Sequence, residues 1–440
     1  MAIEQIEPQE KVFPYLYLTI GFLVAIECFE IFISALQLNW KKKNQKIPEV
    51  LRPLNIQEVD YEKSRAYNIT KIKFSMTVSI INTVITVLLL YFFYYPWVWN
   101  ISGDILAHYG FDASSEFKRA LVFIAIDNIR EKFVGIPISY ISSFVIEAKY
   151  GFNKMTLKTF VTDILKTFLI LIILTPPILF VLLWVIEAGG KYFYLYVEGV
   201  VFVMIIIMMF IYPNFIAPLF NKFEELPMGP LRDKIYALAE KLDYPLTKIF
   251  VCDGSKRSSH SNAYLFGFWK NKRIVLFDTL LKHLDEDEIE AVLGHELGHW
   301  KKGHTWKGLV LVMVQVFVIF YVYGFFMYNP EVFLSFGFTD QSIFIGIVLF
   351  ILILTPINFV LGLIGLRISR AFEYQADHFS TVLGYADKLS SGLIKLFKEN
   401  SGDMDPHPWY ASFRYTHPAL VERLNYIAKC KGSGTYIMMA

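Results

Sequence analysis

Cysteine and charge are both scarce in this chain of 440 residues. It has three cysteines, Cys28, Cys252 and Cys430, odd in number and far apart. No two of them form a Cys-x-x-Cys pair, which excludes a disulfide framework and a zinc ribbon as organising devices. Charged residues make up 19% of the chain, against about 25% in soluble domains, and the net charge is only +2. Internal repeats and low-complexity tracts are absent as well. A disordered chain and an acidic or basic tail are therefore excluded, and no nucleic-acid partner is expected.

Apolar surface is what the chain has in excess. Residues of the hydrophobic class make up 55%, with 40 Phe, 26 Tyr and 8 Trp, and the mean hydropathy is +0.43. That surplus must face something other than water. About 20 helical residues cross a hydrocarbon core. Seven apolar runs are long enough, at 14–38, 74–99, 120–146, 168–186, 192–213, 308–328 and 343–365. Cationic residues stay on the cytoplasmic side. Lys41, Lys42, Lys43, Lys46, Arg52, Lys63, Arg65, Lys71 and Lys73 fill the first loop, and Lys149, Lys154, Lys158 and Lys166 the third. The alternate loops are nearly bare, so the amino terminus is expected in a lumen and 214–307 and the tail after Leu366 in the cytoplasm. Asp127, Arg130, Glu131 and Lys132 interrupt the third run, and Glu27, Glu30 and Glu198 lie in others. Such charges usually face a bundle interior or water. They read either as the wall of a wet chamber or as the mouth of a helix that starts near Phe133.

The text changes character from Glu224. Residues 228–242 have helical period, 248–252 read as a strand, and 262–269 with 273–278 read as a hairpin turning at Lys270-Asn271-Lys272. A helix then runs over 285–304, with Asp285 and Glu288 in capping-box spacing. Four parts are expected: helices and loops over 1–213, a soluble α+β segment over 214–307, two further passes over 308–365, and a tail over 366–440.

The capped helix carries His295-Glu296-Leu297-Gly298-His299. Histidines at i and i+4 share one helical face and can both reach one metal ion, for which zinc is the expected species. Glu296 beside them can deprotonate a metal-bound water. Gly298 lets another backbone come close. The third ligand is expected at Glu373, which returns to the same side after the last run. Asp377, one turn on, either holds a ligand histidine by its free N–H or takes part in proton transfer.

Four stretches carry a resemblance: Ser258-Ser259-His260-Ser261-Asn262-Ala263-Tyr264, Leu293 through Trp300, Glu373-Tyr374-Gln375-Ala376-Asp377, and Thr416-His417-Pro418. Together with Phe144-Val145-Ile146-Glu147, Gly151-Phe152-Asn153, Tyr212-Pro213 and Ile216 through Phe220, they resemble the Ste24 family of type I CAAX prenyl proteases, integral-membrane zinc metallopeptidases. The likeness runs over about 144–425; the charged group 127–132 departs from it. The resemblance implies a fold in which seven transmembrane helices enclose a chamber, with a small α+β zinc-metallopeptidase module on the cytoplasmic side. It implies one zinc ion on His295, His299 and Glu373, and Glu296 as general base. It further implies Asn262, with Ala263, as the peptide-binding edge, His417 as oxyanion donor, and Arg423 as a buttress. His260, His283, His304 and His407 are set aside as structural. The implied substrate is a prenylated CAAX protein that loses its last three residues, with a second, upstream cut as a further expectation. The implied location is the endoplasmic reticulum membrane, extending to the inner nuclear membrane. A quality-control metallopeptidase is the alternative; a receptor or transporter with an accidental motif would bind no zinc.

Overall fold

The structure is a computed structural model, and residues 4–5, 13–48, 51–52, 56–268 and 271–432 are described. The amino-terminal half is helical: α1 (Tyr15–Lys43), α2 (Glu58–Tyr91), α3 (Tyr94–His108), α4 (Glu116–Tyr140), α5 (Leu157–Gly189) and α6 (Phe193–Ile211). The next unit contains β1 (Phe223–Glu225), α7 (Pro230–Lys241), β2 (Leu246–Cys252), β3 (Ala263–Phe268), β4 (Asn271–Phe277) and α8 (Glu286–Lys301). There follow α9 (His304–Phe326), α10 (Ile343–Ile353), α11 (Thr355–Ser380), α12 (Ala386–Glu399), α13 (Pro408–Arg414) and α14 (Leu420–Gly432).

Among the described residues, four helical stretches are long and apolar enough to cross a membrane, or five if one bent pair counts as a span. One stretch, Leu157–Phe220, holds two of the expected passes, because the chain folds back between α5 and α6. Gly190 makes that reversal in a left-handed conformation (φ 52°). Many apolar side chains stay exposed on these helices, Phe325 at 67% and Phe210 at 58% among them, as a lipid-facing surface requires. A buried cluster around Trp99, Phe123, Tyr323 and Phe344 joins α3, α4, α9 and α10.

Three expected spans are corrected in detail. The run 74–99 is two helices, broken where Phe93 adopts φ 52°; apolar character alone does not record that turn. The run 343–365 bends by 61° between α10 and α11, ahead of Pro356. The run 120–146 joins a longer helix that starts at Glu116 and ends in a π-helical stretch, Ile141–Glu147. Its charges are partly neutralised locally, since Arg130 Nε lies 2.8 Å from Asp127 Oδ1. In α1, Glu27 accepts hydrogen bonds from Ser79 and Thr83, and Glu30 pairs with Arg414.

The sheet has order β1-β2-β4-β3. β2 and β4 are parallel, whereas β3 pairs antiparallel with β4 alone, so its outer edge has no strand partner among the described residues. Phe268 faces Asn271 across the turn, which places Asn271 and Lys272 in β4 and not in the turn; Lys270 lies outside the described residues. A second core, around Ile235, Ile274, Leu293 and Leu297, packs the sheet against α7, α8 and α12.

The carboxyl-terminal part of α1 and the segment 403–415 meet in a buried polar cluster. Lys41 of α1 is 1% exposed and pairs with Asp403, while its Nζ also donates to the Asp405 carbonyl at 2.8 Å. Gln37 donates to Asp403 at 2.7 Å, and the Tyr415 hydroxyl donates to the same carboxylate at 3.0 Å.

Candidate metal centre and active site

The sequence dictates α8 from its first turn. The Asp285 side chain accepts the Glu288 N–H at 2.8 Å, and Glu288 accepts the Asp285 N–H at 2.9 Å, closing the capping box. The helix then lies hard against α11. A Cβ on Gly298 would sit 3.0 Å from Phe379 Cβ and 3.2 Å from the Ala376 Cα, tighter than most side-chain contacts, so glycine eases this approach. The buried Ser380 hydroxyl donates to the Ala291 carbonyl at 2.9 Å and fixes how the two helices align.

That approach brings His295, His299 and Glu373 together, with one ligand atom from each within 4.8 Å of the others. The two Nε2 atoms are 3.2 Å apart. His295 Nε2 lies 3.4 Å from Glu373 Oε2, and His299 Nε2 lies 3.3 Å from Glu373 Oε1. Both rings are held from behind. His295 Nδ1 is 2.9 Å from Asp377 Oδ1, and Asp377 has no exposed surface. Arg423, also buried, grips Asp377 with Nε to Oδ2 at 2.9 Å and Nη2 to Oδ1 at 2.6 Å. Its Nη1 is 3.6 Å from Glu373 Oε2.

His304 was set aside on sequence grounds, yet it sits 5% exposed behind His299. Its Nδ1 is 2.9 Å from His299 Nδ1, and its Nε2 is 3.0 Å from Gln375 Oε1. The amide oxygen only accepts, so His304 donates from Nε2 and its Nδ1 accepts from His299. Both ligand rings thus carry their proton on Nδ1 and turn an Nε2 lone pair toward Glu373. Gly303, at φ 68°, turns the chain between α8 and α9 and brings His304 back. Lys302-Gly303 after the motif helix was the available signal. His260 stacks on Phe152, and His283 meets the Ser261 hydroxyl.

The remaining candidates line the same place. His417 Nε2 is 3.2 Å from Glu373 Oε1, with its side chain largely exposed. Asn262 precedes β3 and Ala263 opens it; both face a small cavity together with His295, Glu296, His417 and Arg423. Burial pushes the Glu296 carboxyl up. Burial alone would raise Glu373 too, but His295, His299 and the Arg423 charge beside it outweigh that and hold it far below the usual carboxylate range.

These donors suit a metal cation. Two imidazole lone pairs and a carboxylate repel one another at this spacing unless positive charge lies among them. Glu373 Oε2 is buried and, among the described residues, makes no hydrogen bond. Two nitrogens and one carboxylate oxygen are the ligand set of an open catalytic site rather than a closed structural one.

A multi-pass helical bundle joined to an HExxH helix with a carboxylate ligand from a second helix defines a membrane metallopeptidase. Two family models match this chain: "CAAX prenyl protease N-terminal, five membrane helices" over 37–222 and "Peptidase family M48" over 225–431. The chain belongs to peptidase family M48, in its CAAX prenyl protease branch. A rice protein named CAAX prenyl protease 1 homolog is 43% identical over 415 residues, which is 94% of this chain and 97% of that one. The human protein of that name is 36% identical over 98% of each chain. CAAX prenyl protease 1 of Saccharomyces cerevisiae is 36% identical over 93% of this chain and 94% of its own. The crystal structure of S. mikatae Ste24p superposes with a TM-score of 0.91 at 35% identity, over 95% of this chain and 100% of the other. The likeness therefore extends well before residue 144, through the first helices.

Proposed function

We propose that this chain is a zinc-dependent endopeptidase that removes the three residues after the lipidated cysteine of prenylated CAAX proteins, with a second, upstream cut in the same substrate. The convergence of His295, His299 and Glu373, two turns of one helix and one of another, carries this reading. The names of the relatives support the substrate class.

His295, His299 and Glu373 would hold one Zn²⁺. The ion supplies electrophilic polarisation and makes water acidic near neutral pH. Glu296 takes the proton of the attacking water and returns it to the leaving amine, a task suited to a carboxyl whose pKa burial has raised. Asp377, rather than moving protons, keeps the His295 proton on Nδ1, and Arg423 balances its charge. His417 serves the developing oxyanion as a donor. Asn262 and Ala263 hold the substrate backbone at the free edge of β3.

The same reading assigns seven crossings: α1, α2, α4 with its π-helical extension, α5, α6, α9 and the bent pair α10–α11. They enclose a water-filled chamber, which the half-buried Asp127–Arg130 pair supports. The alternating loop charges support a lumenal amino terminus and a cytoplasmic site and carboxyl terminus. The endoplasmic reticulum membrane, with the inner nuclear membrane, is the expected home. The expected division is 1–213, 214–307, 308–365 and 366–440; the prenylated substrate and the bilayer are the expected partners, and no nucleic acid is expected.

The test is release of the tripeptide from a farnesylated CAAX peptide by purified protein. Glu296→Gln should lower kcat by about 10²–10⁴-fold while zinc content stays at one per chain. A chelator should abolish turnover and Zn²⁺ restore it. Undiminished release by Glu296→Gln, or by protein stripped of zinc, refutes the assignment.

A further inference from the structure

Two cavities meet at Glu296. The smaller, about 280 Å³, is the one lined by Asn262, Ala263, His417 and Arg423. The larger, about 930 Å³, lies between α6, β3 and the start of α9, and it also reaches His299. Its walls are mostly apolar, with Lys272 and Thr305 the polar exceptions away from the metal centre: Met204, Met208 and Met209 on α6 face Trp300, Trp306 and Leu309. Strand β3 runs from one cavity to the other. Ala263 borders the smaller, and Tyr264, Leu265, Phe266 and Gly267 border the larger.

The free edge of β3 sets a direction. A peptide added to it is best paired antiparallel. Its residues before the scissile bond then lie beside 264–267, toward the larger cavity. Its residues after that bond lie beside Asn262 and Ala263, toward the smaller. The cleavage proposed above falls immediately after the lipidated cysteine. Direction, size and chemistry therefore agree on where each part goes.

We infer, resting on the peptidase reading, that the 930 Å³ cavity is the binding site for the isoprenoid chain of the substrate and that the 280 Å³ cavity receives the released tripeptide. The larger cavity has the size of a small-molecule site, and its three methionines are unbranched and polarisable enough to follow a methyl-branched chain. The lipid thus enters beside the general base, and its register on the metal centre selects the bond to be cut. The crevice between α1 and α2, lined by Val24, Ile80, Val84 and Leu88, is also apolar but does not touch the metal centre.

Photocrosslinking tests this on the full-length protein. The probe is a CAAX peptide bearing a diazirine in the terminal unit of its farnesyl chain. Label is expected within residues 204–209 or 306–309. Label within 389–397, beside the smaller cavity, or between α1 and α2, overturns the inference. In kinetics, Met208→Trp fills the larger cavity and should raise KM for the farnesylated peptide roughly tenfold or more, with a smaller change in kcat. Unchanged KM in a variant that retains its zinc counts against the inference. Val84→Trp in the other crevice should behave as wild type. If Met208→Trp fails to fold, the wild-type label decides alone. Failure of wild type to release the tripeptide would strike the peptidase reading itself. Release with label in the wrong cavity strikes only the lipid assignment.

Discussion

Asp377→Asn is the most searching single change to the metal centre. The carboxylate receives three donors: His295 Nδ1–H at 2.9 Å and two from Arg423 at 2.9 and 2.6 Å. An amide of the same shape must turn its NH₂ toward one of them. If the NH₂ replaces Oδ2, it meets Arg423 Nε–H and leaves a buried guanidinium short of an acceptor. If it replaces Oδ1, it meets Arg423 Nη2–H and also forces the His295 proton onto Nε2, the atom that faces Glu373. Either outcome costs about 1.5–3 kcal/mol, the value of a hydrogen bond to a charged group. Each 1.4 kcal/mol is about tenfold in binding, so zinc affinity should fall about 10- to 100-fold, as substitutions behind a ligand histidine do. Competition against a chromophoric chelator measures this, with thermal unfolding in detergent alongside. The variant should also melt lower, because Arg423 loses its full counter-charge. Adding Arg423→Met should recover part of the stability but none of the affinity. A zinc affinity within about threefold of wild type, together with unchanged melting, would refute the assignment of Asp377 as the holder of His295.

His299, the second candidate ligand, has a weaker support. His304→Leu removes a neutral acceptor from His299, so zinc affinity should drop about tenfold or less, and by less than in Asp377→Asn in the same competition assay. Gly298→Val should destabilise by about 1–3 kcal/mol in thermal unfolding, since its Cβ meets Phe379 at 3.0 Å. Glu288 predicts a pH effect. Burial alone would raise its carboxyl, but Lys395, Ser391 and the Asp285 N–H outweigh that and lower it. A depressed folded pKa contributes stability that is complete above the unfolded value, about 4.3, and is lost as pH falls through the folded one. Glu288→Gln should therefore melt below wild type at pH 7, with the gap closing as pH drops below about 4; equal melting at pH 7 refutes it.

Much of the centre was legible because its signals are local or chemically forced. The capping box, the i, i+4 histidines and the glycine between them each have one structural meaning. Glu373 and Asp377 stand one turn apart, so placing one on the ligand face places the other behind it. His304 was not legible. Its role depends on the left-handed turn at Gly303 and on Gln375 arriving from 71 residues away. The break at Phe93 was hidden because Phe-Phe-Tyr-Tyr reads as membrane helix whether or not the backbone turns there. β1 and the parallel pairing of β2 with β4 were also missed. Parallel register depends on a crossover, not on alternation within either strand.

The cluster of Lys41, Gln37, Asp403 and Tyr415 has a consequence in time. The segment that presents His417 is tied to the first helix of the chain across more than 360 residues. During synthesis, α1 is in place long before its partners have left the ribosome. Glu373 and α14 with Arg423 also arrive late. The candidate site is thus brought together only after the segment 403–415 has reached α1, late in the folding of the chain.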